Sequence, residues 1–314
     1  MDPTETQTGQ DMLKWADAAM YEAQPILKTE GARVTPRVFL LSATPDPLGT
    51  IAADMRMYRG DPVYSLDEIT DGQRRWAWDE IMKTHLNTPL EGVTVKFMIE
   101  AVTRSFTHQM VRQRVGAYYV QESLRFAVKK GLASEVALPP SIRTTEEGPG
   151  KIWRETVESI ERAYEALVNS GIPAEDARGL LPHAVTTRIL YHTNLRALFE
   201  HAGNRLCTQA QFEWRAVFMG IMKAMRDYAT IHPLEAEGFA DLEDSWQWEI
   251  IARPMANSFT PICYRLGKCA FMSELDRGCT IRERANDGRF DLIQPEEWMA
   301  NPGAGITTED NRPT

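Results

Sequence analysis

The chain has 314 residues, of which 43% are hydrophobic and 25% are charged, and its formal net charge is -9. This length and composition are typical of a globular protein with a substantial apolar core, in one large or two modest domains. The negative charge argues against a general binder of nucleic acids or anionic membranes, because phosphate polymers are held mainly by diffuse positive charge. An anionic ligand must therefore be bound by local clusters of arginine.

The chain carries no segment of roughly 20 uninterrupted apolar residues, and its first ten residues lack the basic and apolar regions of a signal peptide. We therefore expect a cytoplasmic protein. None of the four cysteines shows the C-x-x-C spacing of a zinc module, so reduced, buried thiols are expected. A metal or redox role for the three C-terminal cysteines is the alternative. The cysteines are Cys207, Cys263, Cys269 and Cys279.

The first predicted elements lie before residue 87. Residues 1–35 pass from a polar lead into a helical pattern. The segment RVFLLSATP (37–45) predicts a short buried strand, and the following PDPLGTIAADMRMY (45–58) predicts a turn and a helix. Residues 72–86 have the spacing of an amphipathic helix.

A strand and a helix follow in direct succession. The segment GVTVKFMIEA (92–101) alternates apolar and polar residues like a half-buried strand, and SFTHQMVRQR (105–114) begins with a serine suited to an N-cap. Residues 138–151 are rich in Pro, Gly and Thr, which predicts a loop. Helical patterns resume over 151–170 and 174–181.

Residues 186–227 contain few helix breakers and predict one long helix. Asn194 and Arg205, eleven residues apart, share a face of such a helix, whereas Arg196 and Arg205, nine apart, point to opposite sides. Polar groups that point in two directions suit two ligands or a subunit interface. The predicted packed stripe is Leu195, Phe199, Ala202 and Leu206.

Three motifs resemble those of one enzyme family. Residues 112–126, RQRVGAYYVQESLRF, mix polar and bulky apolar side chains, which indicates partly buried polar groups aimed at a ligand. With Gln109 just before it, this stretch resembles the Arg-His-Arg…Ser motif of flavin-dependent thymidylate synthases.

The segment EDARGLLPHAVTTR (175–188) resembles the family's Glu-x-x-Arg-x-x-Leu-Pro block. The segment NLRALFEHAGNRLCTQAQFEWR (194–215) resembles its Asn-x-Arg helix, and THLNTPLEGV (84–93) is a weaker match.

This resemblance implies an α+β fold with an antiparallel sheet and long helices, assembled as a homotetramer whose active sites are shared between subunits. It implies reductive methylation of dUMP to dTMP, with methylenetetrahydrofolate and NADPH as co-substrates and FAD as cofactor, and without a cysteine nucleophile. The Arg-Gln-Arg and Gln-Glu-Ser-Leu-Arg-Phe variants of the motif resemble bacteriophage-encoded members.

The resemblance also assigns residues to dUMP. Arg125 and Arg178 are expected to hold the phosphate, because a planar guanidinium binds phosphate in a bidentate manner. Arg205 is expected to face the uracil ring and to stabilise negative charge that develops there, and with Ser123 it is assigned as catalytic. The full set assigned to dUMP is Gln109, Gln121, Glu122, Ser123, Leu124, Arg125, Arg178 and Arg205.

A second set of residues is assigned to FAD by the same resemblance. No Gly-x-Gly-x-x-Gly turn is present, so a Rossmann-type site is not expected, and neither is a metal. The set is Thr88, Glu91, Arg112, Gln113, Arg114, Asn194, Arg196, Glu200 and Gln209.

Several positions depart from the family pattern. Gln113 replaces the middle histidine of Arg-His-Arg, and Gln209 replaces the histidine of the third motif. Gln121 occupies the position of the family's ribose-binding glutamate. Glu122, one position further on, is the alternative residue for that role. Glu200 stands where a flavin-contacting His or Asn is common, and the adjacent histidine at 201 is a candidate replacement.

The arginines of these motifs also suit structural roles. Arg112 and Arg114 fit a solvated helix end, Arg178 fits a surface ion pair with Glu175, and Arg205 fits a structural salt bridge. Two alternative functions follow. One is a related flavin-dependent transfer, for example of a hydroxymethyl group to a pyrimidine nucleotide, and the other is a non-catalytic nucleotide- or single-stranded nucleic-acid-binding protein.

The sequence suggests four regions. Residues 1–35 are an N-terminal helical extension, and 36–230 form the catalytic domain that binds FAD and dUMP. Residues 231–298 are a C-terminal extension, and 299–314 a mobile tail.

Overall fold

The structure is a computed structural model that describes residues 36–84, 86–139, 142, 147–207, 210–231, 247, 251 and 262–266. The predicted N-terminal extension, the C-terminal tail, most of the extension over 231–298, Gln209, Cys269 and Cys279 lie outside these residues. The division into four regions therefore stays a prediction.

Four strands and eight α-helices occur among the described residues. The strands are β1 (Arg37–Ala43), β2 (Thr94–Thr103), β3 (Ala117–Gln121) and β4 (Thr186–Asn194). The helices are α1 (Pro47–Tyr58), α2 (Asp71–Lys83), α3 (Arg104–Met110), α4 (Pro149–Asn169), α5 (Ala174–Ala177), α6 (Leu195–Arg205), α7 (Phe212–Ile231) and α8 (Ile262–Leu266). Short 3₁₀ turns cover Leu66–Glu68, Thr88–Glu91, Leu132–Glu135 and Arg178–Leu180.

The strands form one antiparallel sheet in the order β1-β2-β4-β3. Strands β2 and β4 lie at its centre, and β3, which carries the motif after residue 116, forms one edge. An antiparallel sheet with helices confirms the expected α+β class.

One face of the sheet packs against helices because side chains alternate along each strand. Buried residues of the central strands, such as Phe97, Ile99 and Tyr191, join apolar residues of α1, α2, α6 and α7 in the main core. A smaller core lies under α4, where Val157 and Val185 pack with Leu124. This second core places the segment after β3 against the segment before β4.

The prediction of one helix over residues 186–227 is wrong. Residues 186–194 form the central strand β4, and the helical part is divided into α6 and α7. The alternating buried residues Ile189, Tyr191 and Thr193 show why, since β-branched and aromatic side chains favour a pleated strand between two neighbours. The stripe predicted from Leu195 to Leu206 does pack against the core, on α6 and its C-cap.

Two other boundaries differ from the sequence prediction. Thr103, rather than Ser105, caps α3, and its hydroxyl accepts a hydrogen bond from the Phe106 backbone N–H at 3.1 Å. The helix ends at Met110, so Arg112 and Arg114 lie in a turn beyond it and not within its last turn.

The described part of the chain contains no helix that is long and apolar enough to cross a membrane. Among the described residues, no group of three or more His, Cys, Asp or Glu residues is arranged to hold a metal ion. Cys207 and Cys263 are half-buried, and neither forms a disulfide bond within the described part of the chain.

Candidate active site

The Arg-Gln-Arg motif forms a tight turn between α3 and β3. Backbone N–H groups of Arg112 and Gln113 donate to carbonyls of α3 at 3.3 and 3.1 Å, and the Tyr119 hydroxyl donates to the Gln113 carbonyl at 2.8 Å. The side chains of Arg112 and Arg114 are not buried, and no described residue forms a hydrogen bond or ion pair with them. The turn therefore presents two cations to an external group.

This turn is fixed to the start of α6. Gly116 has a φ of 70°, and a Cβ atom there would lie 2.7 Å from the Cβ of Ala197, so no larger residue fits. The Gly116 carbonyl accepts from the Asn194 backbone N–H at 3.0 Å. The Asn194 side chain caps α6 by accepting from the Ala197 N–H at 2.8 Å. Asn194 thus joins the turn to the helix.

Three residues predicted to contact FAD form one ion-pair cluster beside this turn. Arg196 donates to Glu91 at 2.6 Å and to Glu200 at 3.2 Å, and these hydrogen bonds, with that to Glu200 the larger, raise the pKa of Arg196. All three side chains are more than 40% exposed, so the cluster adds little stability. Thr88 is exposed on the same 3₁₀ turn as Glu91.

Arg205 lies at the other end of α6 from Arg196. The two arginines contact different neighbours, in agreement with the nine-residue spacing that predicts opposite sides of the helix. The Arg205 guanidinium carbon stacks 4.8 Å from the centre of the Trp214 ring, and burial lowers its pKa. No acidic side chain among the described residues pairs with it. The alternative of a structural salt bridge is therefore not borne out within the described part of the chain.

A buried polar network supports the Arg205 platform. The Trp214 indole N–H donates to the Gln109 side-chain oxygen at 3.0 Å, and the Gln109 amide donates to Gln211 at 2.6 Å. Gln211 in turn donates to the carboxylate of Glu213. Glu213 accepts from the Thr103 backbone N–H and hydroxyl at 2.8 and 2.6 Å. The network ties the first residues of α7 to α3.

Glu213 and His201 are titratable residues buried in this region. Burial raises the pKa of the Glu213 carboxyl. His201 is fully buried under Arg205, with its Nδ1 3.3 Å from the Tyr191 hydroxyl and its Nε2 without a hydrogen-bond partner among the described residues. Burial, together with the charge of Arg205, lowers the pKa of His201 to about 3, so the ring is neutral. The hypothesis that His201 replaces an exposed flavin-contacting residue is wrong, because the core encloses it.

The last residue of β3 and the residues after it point their polar side chains in different directions. The Gln121 amide donates to the Thr107 hydroxyl on α3 at 2.7 Å. Glu122 turns away and pairs with Lys129 at 3.3 Å, and its carboxylate also accepts from the Thr187 hydroxyl. The Ser123 hydroxyl accepts from the Arg125 backbone N–H at 3.3 Å. Glu122 is therefore committed to an internal ion pair, whereas Gln121 keeps its amide oxygen for a further partner.

Glu175 brings together the two arginines predicted to bind phosphate. Its carboxylate accepts from Arg125 Nε at 2.9 Å, and its backbone carbonyl accepts from Arg178 Nε at 3.1 Å. The alternative of a side-chain ion pair between Glu175 and Arg178 is wrong, because the carboxylate holds Arg125 instead.

An open cavity of about 360 Å³, which we call the arginine pocket, lies beside these residues. It contains three basic residues that the sequence motifs do not assign, Arg104, His108 and His183. Arg104 and His108 come from α3, before the first motif, and His183 lies within the 175–188 block, in which only Arg178 is assigned to a ligand. The lining residues are Arg104, His108, Leu124, Glu175, Arg178, Gly179, Leu181, Pro182, His183 and Val185.

Helix α3 contributes to both the arginine pocket and the Arg205 platform. It supplies Arg104 to the pocket, and its Gln109 accepts the indole N–H of Trp214, the ring on which Arg205 stacks.

Comparisons with known proteins show the family of this chain. Residues 39–230, more than half of the chain, match the family model described as thymidylate synthase complementing protein. A flavin-dependent thymidylate synthase of Geobacter sulfurreducens is 33% identical over 62% of this chain and 83% of its own length. One from Pyrococcus furiosus is 34% identical over 79% of this chain and 95% of its own length.

A solved structure shares the fold. The UMP/dUMP methylase PolB from Streptomyces cacaoi, bound with 5-Br dUMP, superposes with a TM-score of 0.51 over 62% of this chain and 91% of that chain, at 19% identity. The family match covers the sheet, except for the first two residues of β1, and the helices from α1 to α7, except for the last residue of α7. The chain therefore belongs to the thymidylate synthase complementing protein family.

Proposed function

We propose that this protein is a flavin-dependent thymidylate synthase that converts dUMP to dTMP with methylenetetrahydrofolate and NADPH. The observation that supports the proposal most strongly concerns four arginines of its motifs. Within the described residues, Arg112, Arg114, Arg178 and Arg205 have no acidic side chain as partner, although the chain carries a net charge of -9. Cations kept free of carboxylates in an acidic protein suit anionic ligands.

The phosphate of dUMP is assigned to Arg125 and Arg178. Their guanidinium groups both lie against Glu175, and Arg178 lines the arginine pocket. To bind phosphate, Arg125 must release the Glu175 carboxylate. The side chains of Arg125 and Glu175 are both half-exposed, so their ion pair is weak enough to break. Ser123 stands beside Arg125, and Leu124 supplies an apolar wall of the pocket.

The uracil ring is assigned to Arg205. Its guanidinium is half-buried on Trp214, where the low local dielectric strengthens its attraction for developing negative charge. Charge that is stabilised over N3 and the adjacent carbonyl oxygens makes C5 of the pyrimidine more nucleophilic. No bond between a cysteine and the substrate is needed for this activation. The Gln109 network holds Trp214, and hence Arg205, in place.

The residues present fit FAD. The exposed cations Arg112 and Arg114 suit its pyrophosphate, and the turn that carries them is attached to Asn194 through the close contact at Gly116. Arg196, Glu91 and Glu200 form a half-exposed cluster that can rearrange around a polar ligand. When bound, FAD supplies the reducing equivalents that originate in NADPH.

A homotetramer with shared active sites is part of the proposal. It follows from the resemblance of the three motifs to the flavin-dependent thymidylate synthases. Arg196 and Arg205 contact different neighbours at the two ends of α6, which suits ligands held between copies of the chain.

The test is the mass of the product formed from dUMP. Purified protein is incubated with FAD, methylenetetrahydrofolate and NADPH, and the nucleotide is analysed by mass spectrometry. We expect dTMP, and we expect none when FAD or NADPH is omitted. A hydroxymethylated nucleotide would identify the related transfer instead, and unchanged dUMP with a colourless protein would favour a binding function without catalysis.

A further inference from the structure

Arg104 reaches the arginine pocket from the first residue of α3. The backbone N–H of Arg104 donates to the Val185 carbonyl at 3.0 Å, and that of Ser105 donates to the His183 carbonyl at 3.1 Å. These bonds fix the start of α3 against residues 183–185. Arg104 and His108 are four residues apart on this helix and therefore lie on the same side, facing the pocket.

The Arg104 guanidinium forms no hydrogen bond or ion pair with a carboxylate of the described residues. Its hydrogen bond there is to the neutral backbone carbonyl of Glu122, at 3.3 Å from Nη1. Burial, and then the charge of Arg178, lowers the pKa of Arg104, and the charge of the Glu122 carboxylate opposes this shift only in part. The two guanidinium groups thus repel each other across the cavity, which is unfavourable unless an anion lies between them.

The remaining polar side chains of the pocket do not cancel this charge. The imidazole rings of His108 and His183 are parallel, with centroids 6.3 Å apart, and both are exposed at the pocket. Each can donate an N–H group in its neutral form. The one carboxylate that lines the cavity, Glu175, accepts from Arg125.

We propose that Arg104 is a substrate-binding residue whose guanidinium donates hydrogen bonds to the phosphate of the nucleoside monophosphate, opposite Arg178. This inference deepens the proposed function, on which the identity of the nucleotide rests. The cavity of about 360 Å³ accommodates a phosphate group, and the Glu122 carbonyl orients the Arg104 side chain towards it. His108 and His183 place further N–H donors at the rim.

The arrangement makes a specific demand on the substrate. Arg104 can add affinity only through the phosphate of the ligand. It should therefore strengthen the binding of dUMP and leave unchanged the binding of deoxyuridine, which has the same base and sugar but no phosphate. A charge-assisted hydrogen bond that is lost at such a site weakens binding by about 10- to 100-fold.

The experiment measures dissociation constants for dUMP and deoxyuridine by isothermal titration calorimetry on the FAD-loaded protein. Three proteins are compared: the unmodified chain, Arg104→Met and, as control, Arg188→Met. Arg188 is also an arginine, but it is 64% exposed on the sheet and pairs with Glu100. We expect Arg104→Met to bind dUMP about 10- to 100-fold more weakly and deoxyuridine normally, and the control to match the unmodified chain.

Two results would overturn the inference. One is dUMP affinity in Arg104→Met within about twofold of the unmodified chain; the other is an equal loss for dUMP and deoxyuridine, which shows an effect on the nucleoside site or on folding. If Arg104→Met melts early, Arg104→Lys provides the test. It keeps the charge but loses the planar fork, so an intermediate loss for dUMP alone supports the inference and no loss contradicts it.

Inorganic phosphate separates this inference from the proposed function. If the protein makes no thymidylate, titration with inorganic phosphate still reports on the pocket. Weaker phosphate binding by Arg104→Met than by Arg188→Met would then support the site while the proposed reaction fails. Equal phosphate binding by the two variants would reject the site whatever the reaction.

Discussion

The guanidinium of Arg205 lies 4.8 Å from the centre of the Trp214 ring, and the indole N–H of Trp214 donates to Gln109 at 3.0 Å. The first contact joins the end of α6 to the start of α7, and the second joins α7 to α3. Arg205 is thus held by an aromatic surface rather than by a carboxylate of the described residues. A cation held in this way keeps its full charge for a ligand.

Replacement of Arg205 by alanine is expected to abolish the formation of dTMP while FAD stays bound. The guanidinium is the group assigned to the uracil ring, and its removal leaves the exposed Arg112–Arg114 turn intact. The measurement combines the turnover rate with the visible absorbance of the purified variant. Arg188→Ala is the control, and a near-normal rate for Arg205→Ala would remove Arg205 from its assigned role.

Replacement of Glu213 by alanine is expected to lower the free energy of unfolding by about 2–4 kcal/mol. The Glu213 side chain is buried and accepts from Thr103 and Gln211, whose donors lose their acceptor in the variant. Chemical denaturation gives the value. The exposed Glu200→Ala serves as control and should change stability by less than about 0.5 kcal/mol. A similar small change for Glu213→Ala would show that the network contributes little.

Acid is expected to destabilise the protein in part through His201. In the folded chain the pKa of His201 is about 3, whereas an unfolded histidine has a pKa of about 6.5. Between these values the unfolded chain binds a proton at His201 and the folded chain does not. Each unit of pH lowered from about 6.5 towards 3 therefore removes about 1.4 kcal/mol of stability.

The test is the unfolding free energy of His201→Phe and of the unmodified chain between pH 7 and pH 5. As the pH falls from 7 to 5, we expect the unmodified chain to lose about 2 kcal/mol more unfolding free energy than His201→Phe loses. His183→Phe, at an exposed ring, is the control. A difference that is independent of pH would show that His201 does not stay neutral in the fold.

Lys129 is expected to stabilise the segment that follows β3. It is only 10% exposed and pairs with Glu122 at 3.3 Å and Glu135 at 3.2 Å, so Lys129→Met leaves two partly buried carboxylates without their cation. We expect a loss of about 2 kcal/mol in the free energy of unfolding. Lys151→Met is the matched control, because Lys151 is 53% exposed and its pair with Glu155 is 3.7 Å long. Equal effects of the two variants would contradict the assignment.

The sequence predicts most of the local structure that positions the site. The alternation in 92–101 marks β2, and the glycine and asparagine positions that join the Arg-Gln-Arg turn to α6 lie inside the recognised motifs. Strand β4 escapes prediction because Thr186, Thr187, Ile189 and Thr193 occur without a glycine or proline to separate them from the helix. Their β-branched side chains are the signal that favours a strand.

The arginine pocket could not be predicted from sequence spacing. Arg104 and His108 belong to α3, whereas Arg178 and His183 come from a much later segment of the chain. Their approach depends on the backbone bonds from Arg104 to Val185 and from Ser105 to His183. Such contacts follow from the order of strands in the sheet, and no local pattern specifies them.

The central claim, that this chain transfers a one-carbon unit to dUMP with reducing equivalents held by a flavin, is tested most directly by visible absorbance during a single anaerobic turnover. NADPH is added to the FAD-loaded protein until the flavin absorbance is bleached, and dUMP and methylenetetrahydrofolate then follow. We predict that the oxidised flavin absorbance returns as dTMP is formed, in equal amounts. Absorbance that stays bleached, or dTMP formed while the flavin remains reduced, would contradict the account.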